Sequence, residues 1–321
     1  MLAGDSIGRA IVLVGACLLA TNGVFSVTYY DHGGDSTSLV FLRFVAAGAG
    51  FWLLAFARRA WRFPPRLIPA ALVLGGLQLG TAWGLLKGFD EAPVSLVVLI
   101  FYIYPLLATL LAVPVLQEPL TLGRVLLLAL GIGGVALAVG APGSAPIAGV
   151  GLALLAGVCL SVNVVASRYV MLRESINALD LLPLVWLPPA ILLSVLALAK
   201  GMTFPTDSTG WLGAFGVVVP GTFLGLMMFY TGVRRIGAAN ASLLATVEPF
   251  VAVLLAFAIL DESLAAGQLV GGAMILASVV LLSVGQRLSL PWCGDGKEES
   301  RQDGERSADH RQARRRTRRG G

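Results

Sequence analysis

The chain has 321 residues, of which 57% are hydrophobic and only 13% are charged. Its mean hydropathy is +0.84, and its charged fraction is about half of the roughly 25% that is usual in soluble domains. The formal net charge is +5, and charged residues are densest over 289–321. This composition excludes an ordinary soluble enzyme or binding module and indicates a membrane protein with a basic tail.

Ten apolar stretches follow one another along the chain, each about as long as the 20 residues that an α-helix needs to cross a bilayer core. Lipid offers no partner to backbone polar groups, and the stretches lack a two-residue alternation, so helices are favoured over a barrel. The predicted spans are 7–28, 36–57, 67–87, 92–115, 121–140, 147–168, 178–199, 211–232, 238–259 and 265–286. The predicted fold class is therefore an all-α integral membrane protein with ten transmembrane helices.

The first apolar stretch, Ile7 to Val27, is too long for the core of a signal peptide, so we expect it to be retained as a helix. Cys17 and Cys159 lie within apolar stretches, and Cys293 begins the tail. Cysteines so placed indicate neither a disulfide framework nor a redox or metal site.

The distribution of basic residues predicts the orientation, because cytoplasmic loops are enriched in Lys and Arg. With the N-terminus in the cytoplasm, only Lys87 and Lys200 are outside. The residues then placed inside are Arg9, Arg58, Arg59, Arg62, Arg66, Arg124, Arg168, Arg173, Arg234, Arg235 and Arg287. Both termini are therefore predicted to be cytoplasmic, with the basic tail near anionic lipid headgroups.

The second half of the chain repeats features of the first at a shift of 144 residues. The matched pairs are Tyr104-Pro105-Leu106 with Glu248-Pro249-Phe250, Gln117-Glu118-Pro119 with Asp261-Glu262-Ser263, and Gly123 with Gly267.

Duplication of five helices has a geometric consequence, because an odd number of spans per repeat inverts the second repeat in the membrane. We predict a first repeat over 1–140, a second over 141–288, and a disordered basic tail over 289–321. In secondary transporters, inverted repeats place the substrate site near the midplane where the halves meet. The alternative is that duplication only builds a large helical bundle.

Glu248 and Arg43 are the ionisable residues predicted to lie far from any helix end. Such a side chain costs about 2.5–3.5 kcal/mol on insertion scales, so it usually faces a cavity, a partner or an ion path. Glu248 is interpreted as a proton- or cation-linked group, or alternatively as a buried carboxylate that stabilises a helix break at Pro249. Arg43 could bind a substrate carboxylate or phosphate. Alternatively it pairs with Glu248 or backbone carbonyls, or extends outward.

Uncharged polar and aromatic residues at similar depth are weaker candidates for binding or coupling. Asn22 and Asn163 occupy comparable positions in the first helix of each half. Each is predicted either to contact a solute or to hydrogen-bond another helix. The remaining candidates are Gln78, Trp83, Tyr102 and Tyr104, for which packing or an interfacial belt is the alternative role.

Glycines repeat at four-residue spacing in three predicted spans, and this pattern lets helices approach closely. These glycines are Gly76, Gly80 and Gly84, Gly221 and Gly225, and Gly267 and Gly271.

Prolines and two carboxylates mark other local features of the predicted helices. Pro188-Pro189 and Pro220 are expected to kink or unwind their helices. Glu118 and Glu262 each precede an apolar stretch, so we expect them to cap the N-terminus of the following helix, with gating as the alternative role.

A run over 232–244, GVRRIGAANASLL, continues through Glu248-Pro249 and Asp261-Glu262 to Gly271-Gly272. This pattern resembles the EamA repeat of the drug/metabolite transporter superfamily, and residues 87–140 resemble it more loosely. The resemblance implies a ten-helix carrier that moves small metabolites, often exporting amino acids or related solutes, in an inner or plasma membrane.

Two positions depart from the family pattern where a site would be expected. The first helix has Ala20-Thr21-Asn22-Gly23 where the family often shows Trp-Gly, and the first repeat has Tyr104 where the second has Glu248. Transfer of a substrate from another member is therefore not justified.

We interpret the sequence as a secondary transporter that exports small metabolites by alternating access, with proton coupling. The alternative is a facilitator, channel or lipid scramblase without ion coupling. No catalytic cluster, cofactor motif or metal site is recognisable, so we do not expect an enzyme. The expected partners are a small-molecule solute, a proton and the lipid bilayer of the cell membrane, without nucleic acid; a homodimer is an alternative to a monomer.

Overall fold

The computed structural model describes residues 2–58, 65–116, 122–139, 146–174, 176, 178–236, 241 and 244–287. Every regular element within these residues is helical. The α-helices of the first half are α1 (Leu2–Ala20), α2 (Asn22–Asp31), α3 (Ser36–Leu42), α4 (Gly48–Ala57), α5 (Ile68–Glu91), α6 (Val94–Phe101), α7 (Tyr104–Leu116) and α8 (Leu122–Val139). Those of the second half are α9 (Ile147–Glu174), α10 (Ala178–Lys200), α11 (Ser208–Val218), α12 (Gly225–Ile236), α13 (Val247–Ile259) and α14 (Ala266–Arg287).

Eight helical segments of the described chain are long and apolar enough to cross a membrane. They are Ser6–Asp31, Ser36–Ala57, Pro65–Glu91, Val94–Val115, Leu122–Val139, Ile147–Glu174, Leu179–Ala199 and Ser208–Val233. Val247–Ile259 and Ala266–Leu282 are apolar but shorter, and part of the predicted ninth span lies outside the described residues. Eight of the ten predicted spans are thus matched by candidate spans, and the total of ten stays a prediction.

Several spans are interrupted near their middle. The first breaks at Thr21, between α1 and α2, and the fourth breaks at Tyr102 and Ile103, between α6 and α7. The second and eighth contain π-helical turns, Arg43–Ala47 and Val219–Leu224. π-Turns and broken helices free backbone groups within the membrane, and they are frequent at functional sites.

The two halves of the chain pack against each other through equivalent pairs of helices. The third span packs against the sixth through α5 and α9, and the eighth packs against the first through α12 and α1. α8 packs against α14, and α6 against α13. An aromatic group joins the second span to the seventh, since the buried Trp186 ring lies 4.8 Å from Phe44 and 5.1 Å from Phe51.

Most of the glycines at four-residue spacing lie where helices pack closely, as expected. A Cβ atom added at Gly84 would lie 2.8 Å from the Leu152 carbonyl oxygen and 3.1 Å from the Ala156 nitrogen, both in α9. Gly76 is the exception, because nothing lies within 4 Å of its added Cβ. The neighbouring Gly75 packs instead, with the added Cβ 2.9 Å from the Val185 carbonyl oxygen.

We therefore expect Gly84→Ala to lower the thermal unfolding temperature of the purified protein, and Gly76→Ala to leave it unchanged. Backbone atoms of α9 cannot move aside as a flexible side chain can, so overpacking should cost about 1–3 kcal/mol. Thermal unfolding in detergent, followed by tryptophan fluorescence, measures the difference. Equal unfolding temperatures for the two variants would contradict the close packing of α5 against α9.

Two local predictions need correction. Of the kink or unwinding predicted at Pro188 and Pro189, unwinding is wrong, since α10 continues through both, and the kink stays a prediction; Pro220 does lie in a π-turn. Glu262 does not cap the following helix, because the side chain of Gln268 already accepts the Ala265 N–H at its start. The Glu262 carboxylate binds a different helix, α6. Glu118 and the basic tail lie outside the described residues.

Candidate functional site

Glu248 lies in the first turn of α13, two residues after the turn at Thr246. It is partly buried, and the preceding Thr246 makes no side-chain cap to the helix. An acidic side chain is favoured here, because the N-terminus of a helix carries a partial positive charge. The structure therefore places Glu248 at the beginning of a helix within the membrane, where the sequence predicted the centre of one.

Glu248 contacts residues from the first half of the chain. The Tyr102 phenol and the charge of Arg43 both interact electrostatically with the Glu248 carboxyl group. Tyr104 also interacts electrostatically with Glu248. We name these four residues, Arg43, Tyr102, Tyr104 and Glu248, the central cluster.

Arg43 begins the π-turn of the second span and is only 7% exposed. Its Nε and Nη1 atoms are buried and have no hydrogen-bond partner within the part of the chain that the structure describes. No ion pair joins it to Glu248 among those residues, so the two charges are farther apart than the roughly 4 Å of a direct pair. Arg43 is therefore buried with two donor atoms that have no partner among the described residues, and it does not extend outward.

The tyrosines stand at the break of the fourth span. Tyr102 lies in the turn between α6 and α7 and is 4% exposed, while Tyr104 is partly buried at the start of α7. Their ring centroids are 5.7 Å apart, and the ring of Phe101 lies 5.3 Å from that of Tyr104. The break in the helix thus places two phenols near enough to Glu248 to interact with it electrostatically.

Asn22 and Asn163 make equivalent hydrogen bonds between spans. Asn22 Nδ2 donates to the Gly221 carbonyl at 2.6 Å, and Asn163 Nδ2 donates to the Leu74 carbonyl at 2.8 Å. Asn163 Oδ1 accepts from the Ser167 hydroxyl, whereas Asn22 Oδ1 is buried without a partner among the described residues. Both side chains tie the first helix of one half to the third helix of the other.

Gln78 and Trp83 are not brought into the central cluster. Trp83 is 40% exposed and Gln78 is partly buried, both on α5. Within the described residues, no hydrogen bond, ion pair or ring contact joins either side chain to the central cluster.

Tyr30 and Tyr230 border the central cluster; the sequence suggested Tyr230 as a residue that could line a cavity or pack, and it did not single out Tyr30. The Tyr30 hydroxyl donates to the Leu86 carbonyl at 2.8 Å, and Tyr30 interacts electrostatically with Arg43. Tyr230 interacts in the same way with Tyr104. A signal for Tyr30 was present in the sequence, since Asn22, Ser26 and Tyr30 recur every four residues along one polar helix face.

We expect Tyr102→Phe to reduce solute transport about tenfold and to lower the thermal unfolding temperature by no more than a few degrees. The phenyl ring keeps the packing, but the hydroxyl that interacts with Glu248 is lost, and about 1.4 kcal/mol of lost interaction corresponds to a tenfold change. Initial uptake rates into proteoliposomes measure the effect. Tyr169→Phe is the matched control, because Tyr169 is 45% exposed on α9; equal rates for both variants would remove Tyr102 from the site.

The described residues contain no group of three or more His, Cys, Asp or Glu side chains that could hold a metal ion. The charged members of the central cluster, Arg43 and Glu248, lie on different halves of the chain. The candidate spans and this polar interior define a multi-pass membrane protein with a buried, charged site among its helices.

Comparison with known proteins identifies the family. The model of the EamA-like transporter family matches residues 6–140 and again 147–284. An uncharacterized transporter of Archaeoglobus fulgidus is 27% identical over 280 residues, 85% of this chain and 95% of its own. Protein PecM of Dickeya dadantii is 26% identical over 217 residues, 65% of this chain and 72% of its own. The uncharacterized inner membrane transporter YicL of Salmonella typhimurium is 33% identical over 88 residues, 27% and 29% of the two chains.

A solved crystal structure superposes on 88% of this chain and 99% of its own, with a TM-score of 0.63 and 19% sequence identity. At that identity the likeness shows a shared fold. The chain belongs to the EamA-like transporter family, within the drug/metabolite transporter superfamily, and contains two copies of the family repeat. It is therefore a membrane transporter, as the sequence resemblance implied.

Proposed function

We propose that this protein is a secondary transporter that exports small metabolites, such as amino acids or related solutes, by proton-coupled alternating access. One observation carries the proposal. The central cluster is assembled from both family repeats, because Arg43, Tyr102 and Tyr104 lie in residues 6–140 and Glu248 lies in residues 147–284. A relative movement of the repeats would therefore change the site itself.

Inverted repeats are the basis of the alternating access that we propose. The paired hydrogen bonds of Asn22 to Gly221 and Asn163 to Leu74 support a two-fold relation, since each joins the first helix of one repeat to the third of the other. Five spans in each repeat, over 1–140 and 141–288, would place that axis in the membrane plane. Two near-equivalent packings, each open to one side, follow from this symmetry.

Glu248 is the proposed coupling group. A carboxyl group in the membrane interior can hold a proton in one half of the cycle and a solute or Arg43 in the other. Arg43, with two donors unused among the described residues, is the proposed partner of an anionic solute group. Asn22, Asn163, Tyr102 and Tyr104 surround this path, and Gln78 and Trp83 are proposed only as lining residues farther along it.

Export, the solute class and the cell membrane are proposed from the family resemblance and from charge. Eleven predicted cytoplasmic arginines oppose two outer lysines, which favours cytoplasmic termini. One relative is named as an inner membrane transporter. The second candidate function is a facilitator, channel or lipid scramblase, in which Glu248 would only stabilise the start of α13.

Proteoliposomes separate these candidates. Purified protein is reconstituted and given a pool of labelled amino acids, amines and sugars, with and without an imposed pH gradient. We expect one solute class to accumulate only with the gradient and to show saturable exchange. Solute flux that does not depend on the pH gradient would favour the facilitator or channel. Lipid flipping without solute flux would favour the scramblase.

A further inference from the structure

The connection between α13 and α14 makes a contact that lies outside the central cluster. The Glu262 carboxylate accepts hydrogen bonds from the backbone N–H groups of Val94 and Ser95, at 2.6 and 2.9 Å, and from the Ser95 hydroxyl. Val94 and Ser95 begin α6, directly after Pro93. The first N–H groups of a helix lack partners within it and carry partial positive charge, so a carboxylate is a strong acceptor for them.

This contact joins the two repeats. Ser95 belongs to the repeat matched at 6–140, and Glu262 to the repeat matched at 147–284. Ser95 is 1% exposed, and hydrogen bonds to an ionised acceptor are stronger than neutral ones. The preceding residue, Asp261, has φ of 53°, a left-handed conformation that is uncommon outside glycine. The backbone is thus held in an unfavoured shape beside the residue that makes the contact.

A second contact between repeats lies at the same end of the bundle. The Asp35 carboxylate accepts the Thr203 N–H at 2.8 Å, and the Ser38 hydroxyl donates to the Thr203 carbonyl. Successive spans alternate in direction, so the connections after the first, third and seventh spans share one end. Glu262 contacts residues at that end, where two sets of hydrogen bonds therefore join the repeats.

We propose that Glu262 is the gate residue at this end of the bundle, which holds α6 against the second repeat and releases it whenever this end opens. The inference rests on the alternating access proposed above. In that cycle the Glu262 hydrogen bonds stabilise the closed state and lower the population of the open one. Glu262 acts on transport by positioning α6 and does not touch the solute.

The test is the reaction of a buried thiol with a membrane-impermeant maleimide. Leu99 is one helical turn after Ser95, is 2% exposed and lies beside Gly272 of α14. Leu99→Cys is made with Cys17→Ser and Cys293→Ser, and native Cys159 is kept as a second reporter. In proteoliposomes, mass spectrometry gives the rate of modification at positions 99 and 159.

Adding Glu262→Ala should raise the rate at position 99 about tenfold, because three hydrogen bonds that favour the closed state are lost. Glu262→Gln should raise it less, since an amide oxygen still accepts one bond but carries no charge. Glu91→Gln is the matched control, because Glu91 lies at the same end and pairs with Lys87 within α5. It should leave the rate unchanged.

An unchanged rate at position 99 in both Glu262 variants would overturn the proposal, as would a parallel rise at Cys159, which would indicate general loosening. The assay needs neither a solute nor flux. A rise at position 99 in a protein without detectable flux would therefore support the gate while the transport proposal fails. An unchanged rate in a protein with coupled flux would reject the gate alone.

Discussion

Glu248→Gln is expected to abolish gradient-driven accumulation of the solute while leaving solute exchange intact. Glutamine has nearly the same shape and polarity, but it cannot gain and release a proton. With one proton moved per solute, a gradient of one pH unit supports about tenfold accumulation. The accumulation ratio of the variant should therefore fall from about tenfold to one, as measured by steady-state uptake into proteoliposomes.

The matched control for this variant is Glu174→Gln. Glu174 is also an acidic residue of the second repeat, but it pairs with Arg66 at one end of the bundle. Its removal should cost at most about 1 kcal/mol of stability and leave accumulation unchanged. If Glu248→Gln accumulates solute as well as the wild type does, Glu248 is a structural carboxylate and coupling lies elsewhere.

Arg43→Gln is expected to abolish transport without a large loss of stability. The substitution removes the positive charge that interacts with Glu248, but it breaks no direct ion pair and removes two buried donors that have no partner among the described residues. It also removes the donors that we propose for the solute. Thermal unfolding in detergent and uptake into proteoliposomes measure the two effects separately.

A double variant separates charge balance from solute binding at this position. Adding Glu248→Gln to Arg43→Gln removes both charges, and transport should stay absent because the donors proposed for the solute are still missing. Arg66→Gln is the control for removal of an arginine, because Arg66 is 71% exposed at the bundle end. Recovery of transport in the double variant would show that Arg43 serves only to neutralise Glu248.

The spans and the two charged residues of the central cluster were predictable because both follow from the free energy of placing residues in the bilayer. Apolar length decides which segments cross it, and eight of the predicted segments coincide with candidate spans. The cost of a buried charge likewise singled out Arg43 and Glu248, which the structure brings into electrostatic contact. Neither inference requires knowledge of which helices pack together.

The remaining features depend on three-dimensional contacts that the sequence does not specify. Glu262 precedes α14 in the chain, yet it binds α6, whose first residue lies 168 positions away. Pro188 stays within a continuous helix and packs at Gly75. Trp83, predicted as a lining residue, is 40% exposed, because depth in the membrane does not tell which face of a helix points inward.

The most direct test of proton coupling through Glu248 is the proton movement that a solute gradient drives. Proteoliposomes containing a pH-sensitive dye are given the transported solute on one side only, without an imposed pH gradient. Solute movement through the wild type should change the internal pH in proportion to the solute moved, and Glu248→Gln should move solute without that change. Solute flux through the wild type with no change in internal pH would contradict a proton-coupled carrier.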